Sequence, residues 1–275
     1  MNNTADAEVV FRIRRFDSEK DPKPHYEDYR LKVLPGMTVL DGLWKIKETV
    51  SPSLSWRVSC RMGICGSCAM MINGLPRLAC NTQIAELGTK VVTVAPLVNF
   101  DTIRDLVPDL SSMFETHVRL KPFLIRKDEH ESEHPTAEYK QTSEEMENYL
   151  QFSYCIKCGC CMAACPTSAS DRQYSGPMPL AQAHRYNVDT RDEGFDARRN
   201  ELSGEAGPWR CHFGSECSRV CPKGVDPAKA IQWMKRSLVL DYLHLRKRPQ
   251  AAGLAPVPKD AKRREGVPEA PKPTV

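Results

Sequence analysis

No uninterrupted apolar run in these 275 residues approaches the roughly 18 that a membrane-spanning helix needs, so the chain is not expected to cross a bilayer by itself. The N-terminus, MNNTADAEVV, has neither the apolar core of a secretory signal nor the Arg-rich face of a transit peptide. The expectation is a chain that starts here and works in a reducing compartment. Charge of one sign is also missing: 39 Lys and Arg against 35 Asp and Glu leave +4, too balanced for a dedicated nucleic-acid binder. Cysteine, by contrast, is abundant. Twelve of them are not explained by disulfides in a reducing compartment, and metal accounts for them better. The length and the 41% apolar content suffice for two modest domains with buried cores.

The cysteines fall into three groups: Cys60, Cys65, Cys68 and Cys80; then Cys155, Cys158, Cys160, Cys161 and Cys165; then Cys211, Cys217 and Cys221. Between the first two groups, the charged stretch from Arg126 to Glu145 reads as a linker or exposed connection. Before it, Val9–Phe16 and Tyr26–Val33 alternate as half-buried strands do, and Thr38 caps a helix through Thr49. Ala69–Ile72, the turn Asn73-Gly74 and Leu75–Ala79 form a hairpin, and Lys90–Val94 another strand. A sheet crossed by one helix, with a cysteine loop between helix and hairpin, resembles the β-grasp fold of plant-type ferredoxins. The second half reads as helical, with candidates at Asp101–Leu106, Ser143–Gln151 and Leu180–Tyr186. A stronger one is capped by Asp226, opened by Pro227 and runs to about Leu245, with Ile231, Met234, Leu238 and Tyr242 on one face.

The fold class is therefore α+β, with a β-grasp domain at 1–116, a helical domain resembling bacterial ferredoxins at 117–245, and a Pro-rich tail at 246–275. Eight Lys and Arg against three Asp and Glu put the tail at +5, so the basic character sits at this end. Such a segment reads as a solvated tail, with docking on a partner or an anionic membrane as the sharper alternative.

Cys60-x4-Cys65-x2-Cys68-x11-Cys80 has the plant-type spacing for a [2Fe–2S] cluster, and Gly63 and Gly66 let the loop wrap closely around it. A zinc site would instead favour paired C-x2-C knuckles. Cys155-x2-Cys158-x2-Cys161-x3-Cys165-Pro166 reproduces the bacterial run, in which the fourth cysteine reaches a second cluster. Cys211-x5-Cys217-x3-Cys221-Pro222 is the second run this demands. Crossing pairs Cys155, Cys158 and Cys161 with Cys221 as a [4Fe–4S] site and leaves Cys165, Cys211 and Cys217. That last site is one ligand short, because Gly214 stands where a full run carries cysteine. Three thiolates suit a [3Fe–4S] cluster; the alternative is an ordinary cubane completed by another side chain or water. Cys160 reads as a small buried hydrophobe. Three clusters in one small chain suggest a wire that passes single electrons between two partners.

The order of a plant-type site, the run CIKCGCCMAACP and the final RCHFGSECSRVCPKGVDP resembles the iron–sulfur subunit of succinate dehydrogenase, respiratory complex II, over nearly all of residues 9–245. The resemblance implies a place between a flavoprotein, which oxidises succinate on a covalently bound FAD, and an integral membrane anchor that binds quinone. It implies the cluster order [2Fe–2S], [4Fe–4S], [3Fe–4S] and matches all eleven ligand positions. A fumarate reductase, running the opposite way, is the alternative. His212, Pro166 and Ser170 are implied as neighbours of the quinone pocket, with His212 donating a hydrogen bond or relaying a proton. Many ubiquinone-reducing relatives carry tryptophan at the position of Ser170, whose hydroxyl offers no aromatic wall, so menaquinone or a differently placed site becomes plausible. With no presequence expected, the implied location is peripheral, on the cytoplasmic face of a bacterial inner membrane.

A soluble ferredoxin-type carrier would be short and acidic and would lack the extra β-grasp domain, and neither property holds. A structural zinc protein would be colourless.

Overall fold

The computed structural model describes residues 7–134, 136–246 and 253–256. β1 (Ala7–Arg15) and β2 (His25–Val33) pair antiparallel, and on β2 the alternate residues Tyr29, Leu31 and Val33 turn inward. α1 (Val39–Thr49) begins in a capping box: the Thr38 hydroxyl accepts the Asp41 N–H, and the Asp41 carboxylate accepts the Thr38 N–H. It buries Val39, Leu40, Leu43 and Ile46. β3 (Ala69–Ile72) and β4 (Leu75–Leu78) form the hairpin, with Asn73 and Gly74 at φ 47° and 78° as a type I′ turn requires. β5 (Val91–Ala95) lies parallel to β1 and antiparallel to β3, giving the sheet order β2-β1-β5-β3-β4. This mixed sheet with its crossing helix is the β-grasp arrangement.

Asp101–Leu106 is not a helix. It contributes β6 (Thr102–Arg104), which pairs with β7 (Val107–Pro108) around Asp105 in a left-handed conformation (φ 43°). The buried Asp105 carboxylate accepts from Arg15 Nε at 2.9 Å, Phe16 N at 3.1 Å and Ser55 N at 2.9 Å. These long-range partners outweigh the local helical pattern.

Further along come α2 (Ser111–Arg119), α3 (Glu129–Glu133), β8 (Ala137–Tyr139), α4 (Ser143–Ser153), α5 (Cys160–Ala163) and α6 (Pro166–Ser170). α7 (Pro177–Asn187), α8 (Phe195–Ser203), α9 (Glu216–Arg219), α10 (Pro227–Tyr242) and β9 (Leu254–Pro256) complete the order. α7 is the centre of this helical half, packed by α2, α4 and α10. Asp226 caps α10 by accepting from Lys229 N at 2.9 Å. Ile231, Met234 and Leu238 are buried, but Tyr242 is 83% exposed because the helix end overruns the core. The stretch from Arg126 to Glu145 is more than a linker: the Arg126 side chain is only 8% exposed, stacks 4.3 Å over the Tyr139 ring and forks onto Asp128 at 2.9 Å. Leu254–Pro256 of the tail returns to pair antiparallel with β8. The rest of the tail, residues 247–252 and 257–275, lies outside the described residues. No helix among the described residues is long and apolar enough to cross a membrane.

The two halves share a core. Cys160 and Ala163 of α5 are buried in the same cluster as Phe11, Leu43 and Val94 of the β-grasp sheet and helix. At the far side of the helical half, His184 on α7 is 2% exposed, with its ring edge-on to Phe152 at 5.2 Å and tilted against Trp233 at 5.6 Å. Its Nε2 has no hydrogen-bond partner among the described residues, and burial lowers its pKa to about 4. The folded ring stays neutral while the unfolded one takes a proton near pH 6.5, so this contribution to stability is complete above that pH. It declines as the pH falls towards 4, by at most roughly 3 kcal/mol at 1.36 kcal/mol per unit. Thermal unfolding followed from pH 8 to 4.5 is expected to show His184→Leu losing part of the acid-side slope of the parent. His117, lowered to about 4 by burial and then by Lys157, remains in both proteins, so the difference isolates His184.

Candidate metal centres

Cys60, Cys65 and Cys68 of the first group are held in a loop between α1 and β3 that carries left-handed residues: Arg61, Gly63 and Gly66 have φ of 58°, 70° and 76°. This winding turns successive amides inward. The Met62, Ile64 and Cys65 N–H groups donate to Cys60 Sγ at 3.5, 3.4 and 3.3 Å, and the Gly63 N–H donates to Cys80 Sγ at 3.2 Å. Cys80 lies two residues past β4, in the turn Ala79–Asn81, and its N–H donates to Cys68 Sγ at 3.5 Å. The loop is braced from α1: the Arg61 guanidinium lies 5.1 Å over the Trp44 ring, itself edge-on to Trp56 at 5.1 Å. Hydrogen bonding, from the Ser67 side chain first, lowers the Cys65 thiol to about 6, whereas burial pushes Cys68 up to about 12. Ligation of a metal requires both as thiolates, so binding releases the proton that burial favours on Cys68.

In the helical half, Cys155 follows α4, Cys158 lies between the left-handed Lys157 and Gly159, and Cys161 sits on α5. Cys221 follows α9 and packs with Cys155 against one cluster of Phe152, Ala181, Val225 and Ala230. Burial raises the Cys161 thiol well above its ordinary value, and the neighbouring Cys158, Cys155, Cys217 and Cys221 raise it further. Cys165 caps α6 and accepts the Ser168 N–H at 3.4 Å; Cys211 accepts the Phe213 N–H at 3.4 Å. Cys165, Cys211 and Cys217 line one small cavity of about 20 Å³ together with Pro166, His212 and Gly214. Ser170 is not brought there. It is exposed on α6, and its hydroxyl donates back to the Pro166 and Thr167 carbonyls at 3.2 Å.

All twelve cysteines are free thiols. Among the described residues no three His, Cys, Asp or Glu side chains converge as ligands of a single metal ion. The donor chemistry fits iron–sulfur clusters: sulfur ligands, inward amides along the first loop, and glycine where the first two groups meet. A Cβ on Gly66 would lie 2.8 Å from Cys158 Cβ and 3.0 Å from both Cys158 Cα and Ile156 O.

Two residues near the cysteines escape sequence reasoning. Asn99 donates from Nδ2 to the carbonyls of Met162 and Ala163 at 3.0 Å and of Cys165 at 3.3 Å, locking the β-grasp half onto the cysteine helix. Lys235 reaches from α10 to the Cys211 carbonyl at 2.9 Å, placing a cation beside the third group. Their sequence neighbourhoods carry no motif; Lys235 alone has a weak signal, one turn from the buried face of a well-marked helix.

A β-grasp half joined through shared core to a helical, cysteine-rich half defines a two-domain iron–sulfur electron carrier. Residues 10–115 match the family model of the 2Fe-2S iron-sulfur cluster binding domain, and residues 151–225 that of the 4Fe-4S dicluster domain. The chain is 44% identical to the fumarate reductase iron-sulfur subunit of Mycobacterium tuberculosis, over 82% of this chain and 91% of that one. It is 42% identical to the subunit of the same name from Haemophilus influenzae, over 84% and 93%. A chain of the Mycobacterium smegmatis Sdh1 complex in the apo form superposes with a TM-score of 0.74 at 29% identity, covering 87% of this chain and 98% of that one. The chain belongs to the family of iron–sulfur subunits of succinate dehydrogenases and fumarate reductases, which transfer electrons through iron–sulfur clusters.

Proposed function

We propose that this chain is the electron-transfer subunit of a succinate:quinone oxidoreductase. In this reading Cys60, Cys65, Cys68 and Cys80 hold a [2Fe–2S] cluster. Cys155, Cys158, Cys161 and Cys221 hold a [4Fe–4S] cluster, and Cys165, Cys211 and Cys217 hold a [3Fe–4S] cluster. When bound, the clusters supply one-electron carriers between the FAD of a flavoprotein and the quinone at a membrane anchor. The observation that carries the reading is the close approach of the three cysteine-bearing segments. The Gly66 backbone lies against Cys158, and Cys161 and Cys217 share one buried cluster.

Each end of this succession exposes apolar side chains suited to a partner. Met62 and Ile64 are exposed on the first loop, and Trp209 and Phe213 flank Cys211 at the other end. The first patch suits the flavoprotein and the second the integral anchor, which would hold the chain peripherally on the cytoplasmic face of a bacterial inner membrane. His212, exposed beside Cys211, is placed to donate a hydrogen bond or relay a proton at the quinone, with Pro166 as its neighbour. With Ser170 turned back on its own helix, this pocket lacks the aromatic wall there, which favours menaquinone.

A second reading, quinol:fumarate reductase, is supported by the fumarate reductase names of the curated relatives at 41–44% identity. The complex purified with its membrane partners is expected to contain about nine iron atoms per copy of this chain, the content of the three clusters. It should also show three paramagnetic centres on redox titration. Far less iron, or a colourless zinc-loaded preparation, overturns the proposal. The ratio of succinate-dependent quinone reduction to quinol-dependent fumarate reduction separates the two directions.

A further inference from the structure

Tyr174 lies in the loop between α6 and α7, and only 5% of it is exposed. Its ring belongs to the core cluster that contains Cys165, with Cys211 packed at the edge. It lines the small cavity of Cys165, Cys211 and Cys217 and also a separate cavity of about 170 Å³ between the two halves of the molecule, so it stands as the wall between them.

Two connections fix it relative to Cys211. Asp171 pairs with Arg210, and the Ser175 N–H donates to the Ala206 carbonyl at 2.9 Å. The segment carrying Tyr174 is thereby tied to the segment leading into Cys211. Yet the Tyr174 hydroxyl is buried and has no hydrogen-bond partner among the described residues. A buried donor is costly to leave unpaired, and phenylalanine would fill the same space without it. The cavity it lines carries the sulfurs of Cys165, Cys211 and Cys217.

We infer that the Tyr174 hydroxyl donates a hydrogen bond to sulfur at the three-cysteine centre and so raises the reduction potential of the group held there. This rests on the assignment of an iron–sulfur cluster to Cys165, Cys211 and Cys217. An O–H dipole aimed at sulfur stabilises the more negative, reduced state over the oxidised one, and shielding from water keeps the effect strong. The step is a one-electron reduction of the centre alone: the phenol remains a donor with its proton in place, and nothing is transferred from the residue.

Tyr174→Phe in the intact complex, titrated by potential with electron paramagnetic resonance, tests this. The third centre alone is expected to become harder to reduce, its reduced-to-oxidised ratio at fixed potential falling about tenfold, or 59 mV for one electron. Iron content and the other two midpoints should stay in place. Replacing Tyr174 with 3-fluorotyrosine, a stronger donor, should shift the midpoint the opposite way and serves if the Phe variant assembles poorly. A third centre that moves in neither protein, or three centres that move together, overturns the inference. A parent complex with no third centre would overturn the cluster assignment first, which keeps the two failures distinguishable.

Discussion

With a [3Fe–4S] cluster at Cys165, Cys211 and Cys217 passing electrons to quinone, as proposed, Gly214→Cys is expected to turn that centre from three irons into four and to suppress quinone reduction by at least about tenfold. The spacing requires cysteine at 214 for a full bacterial run, and glycine there removes one thiolate. The structure leaves room to restore it. A Cβ at 214 meets only Pro166, with Cγ at 3.5 Å and Cδ at 4.0 Å, and the residue lines the same small cavity as the three thiols. A fourth thiolate adds negative charge and a corner for a fourth iron, and both lower the potential. A drop of about 59 mV makes the last transfer tenfold less favourable. The checks are loss of the oxidised three-iron resonance and one additional iron per chain. An unchanged spectrum with unchanged iron would mean that Gly214 does not face the open corner.

The variant is conceivable from sequence because cysteine spacing is a local property. The same holds for the capping box at Thr38, the Asn73-Gly74 turn and the Asp226-Pro227 helix start, each written within four residues and each observed. What local reading misses depends on partners distant in sequence. Asp105 is drawn into a strand turn by Arg15, some 90 positions earlier, so Asp101–Leu106 reads as a helix and is not one. α2 has Leu110 at its N-cap, with no side-chain cap hydrogen bond, and escapes notice. Arg126 sits in a charged stretch that looks exposed, yet Asp128, Glu193 and the Tyr139 ring bury it. Among the site residues, the cysteines announce themselves through spacing, whereas Asn99, Lys235 and Tyr174 matter only because the fold carries them to the cysteine segments. Ser170 is the converse: its position in the run suggests a pocket, but its hydroxyl is satisfied by its own helix.

The junction between the first two cysteine groups gives the second large effect. Gly66→Ala is expected to destabilise the protein by about 2–5 kcal/mol and to slow electron passage from the first group to the second. Two costs add at this position. With φ at 76°, any side chain costs about 1–2 kcal/mol in the left-handed region. The new Cβ would also stand 2.8 Å from Cys158 Cβ and 3.0 Å from Cys158 Cα and Ile156 O. Two of those atoms are backbone and cannot swing away, so the loop must lift off the cysteine run, at a further cost of about 1–3 kcal/mol. Gly63→Ala separates the two contributions. Its φ of 70° incurs the same backbone penalty, but its nearest neighbour is the Asn81 side chain at 3.6 Å, an ordinary contact. Gly63→Ala should therefore lose only the backbone part and leave transfer between the centres near its parent rate. Thermal unfolding of both variants, with rapid-freeze resonance following reduction of the second centre after the first, decides the matter. Equal, mild effects from the two substitutions would show that the approach of Gly66 to Cys158 is not what couples the domains. A selective loss at Gly66 would locate the coupling in that single contact, which only a residue without a side chain permits.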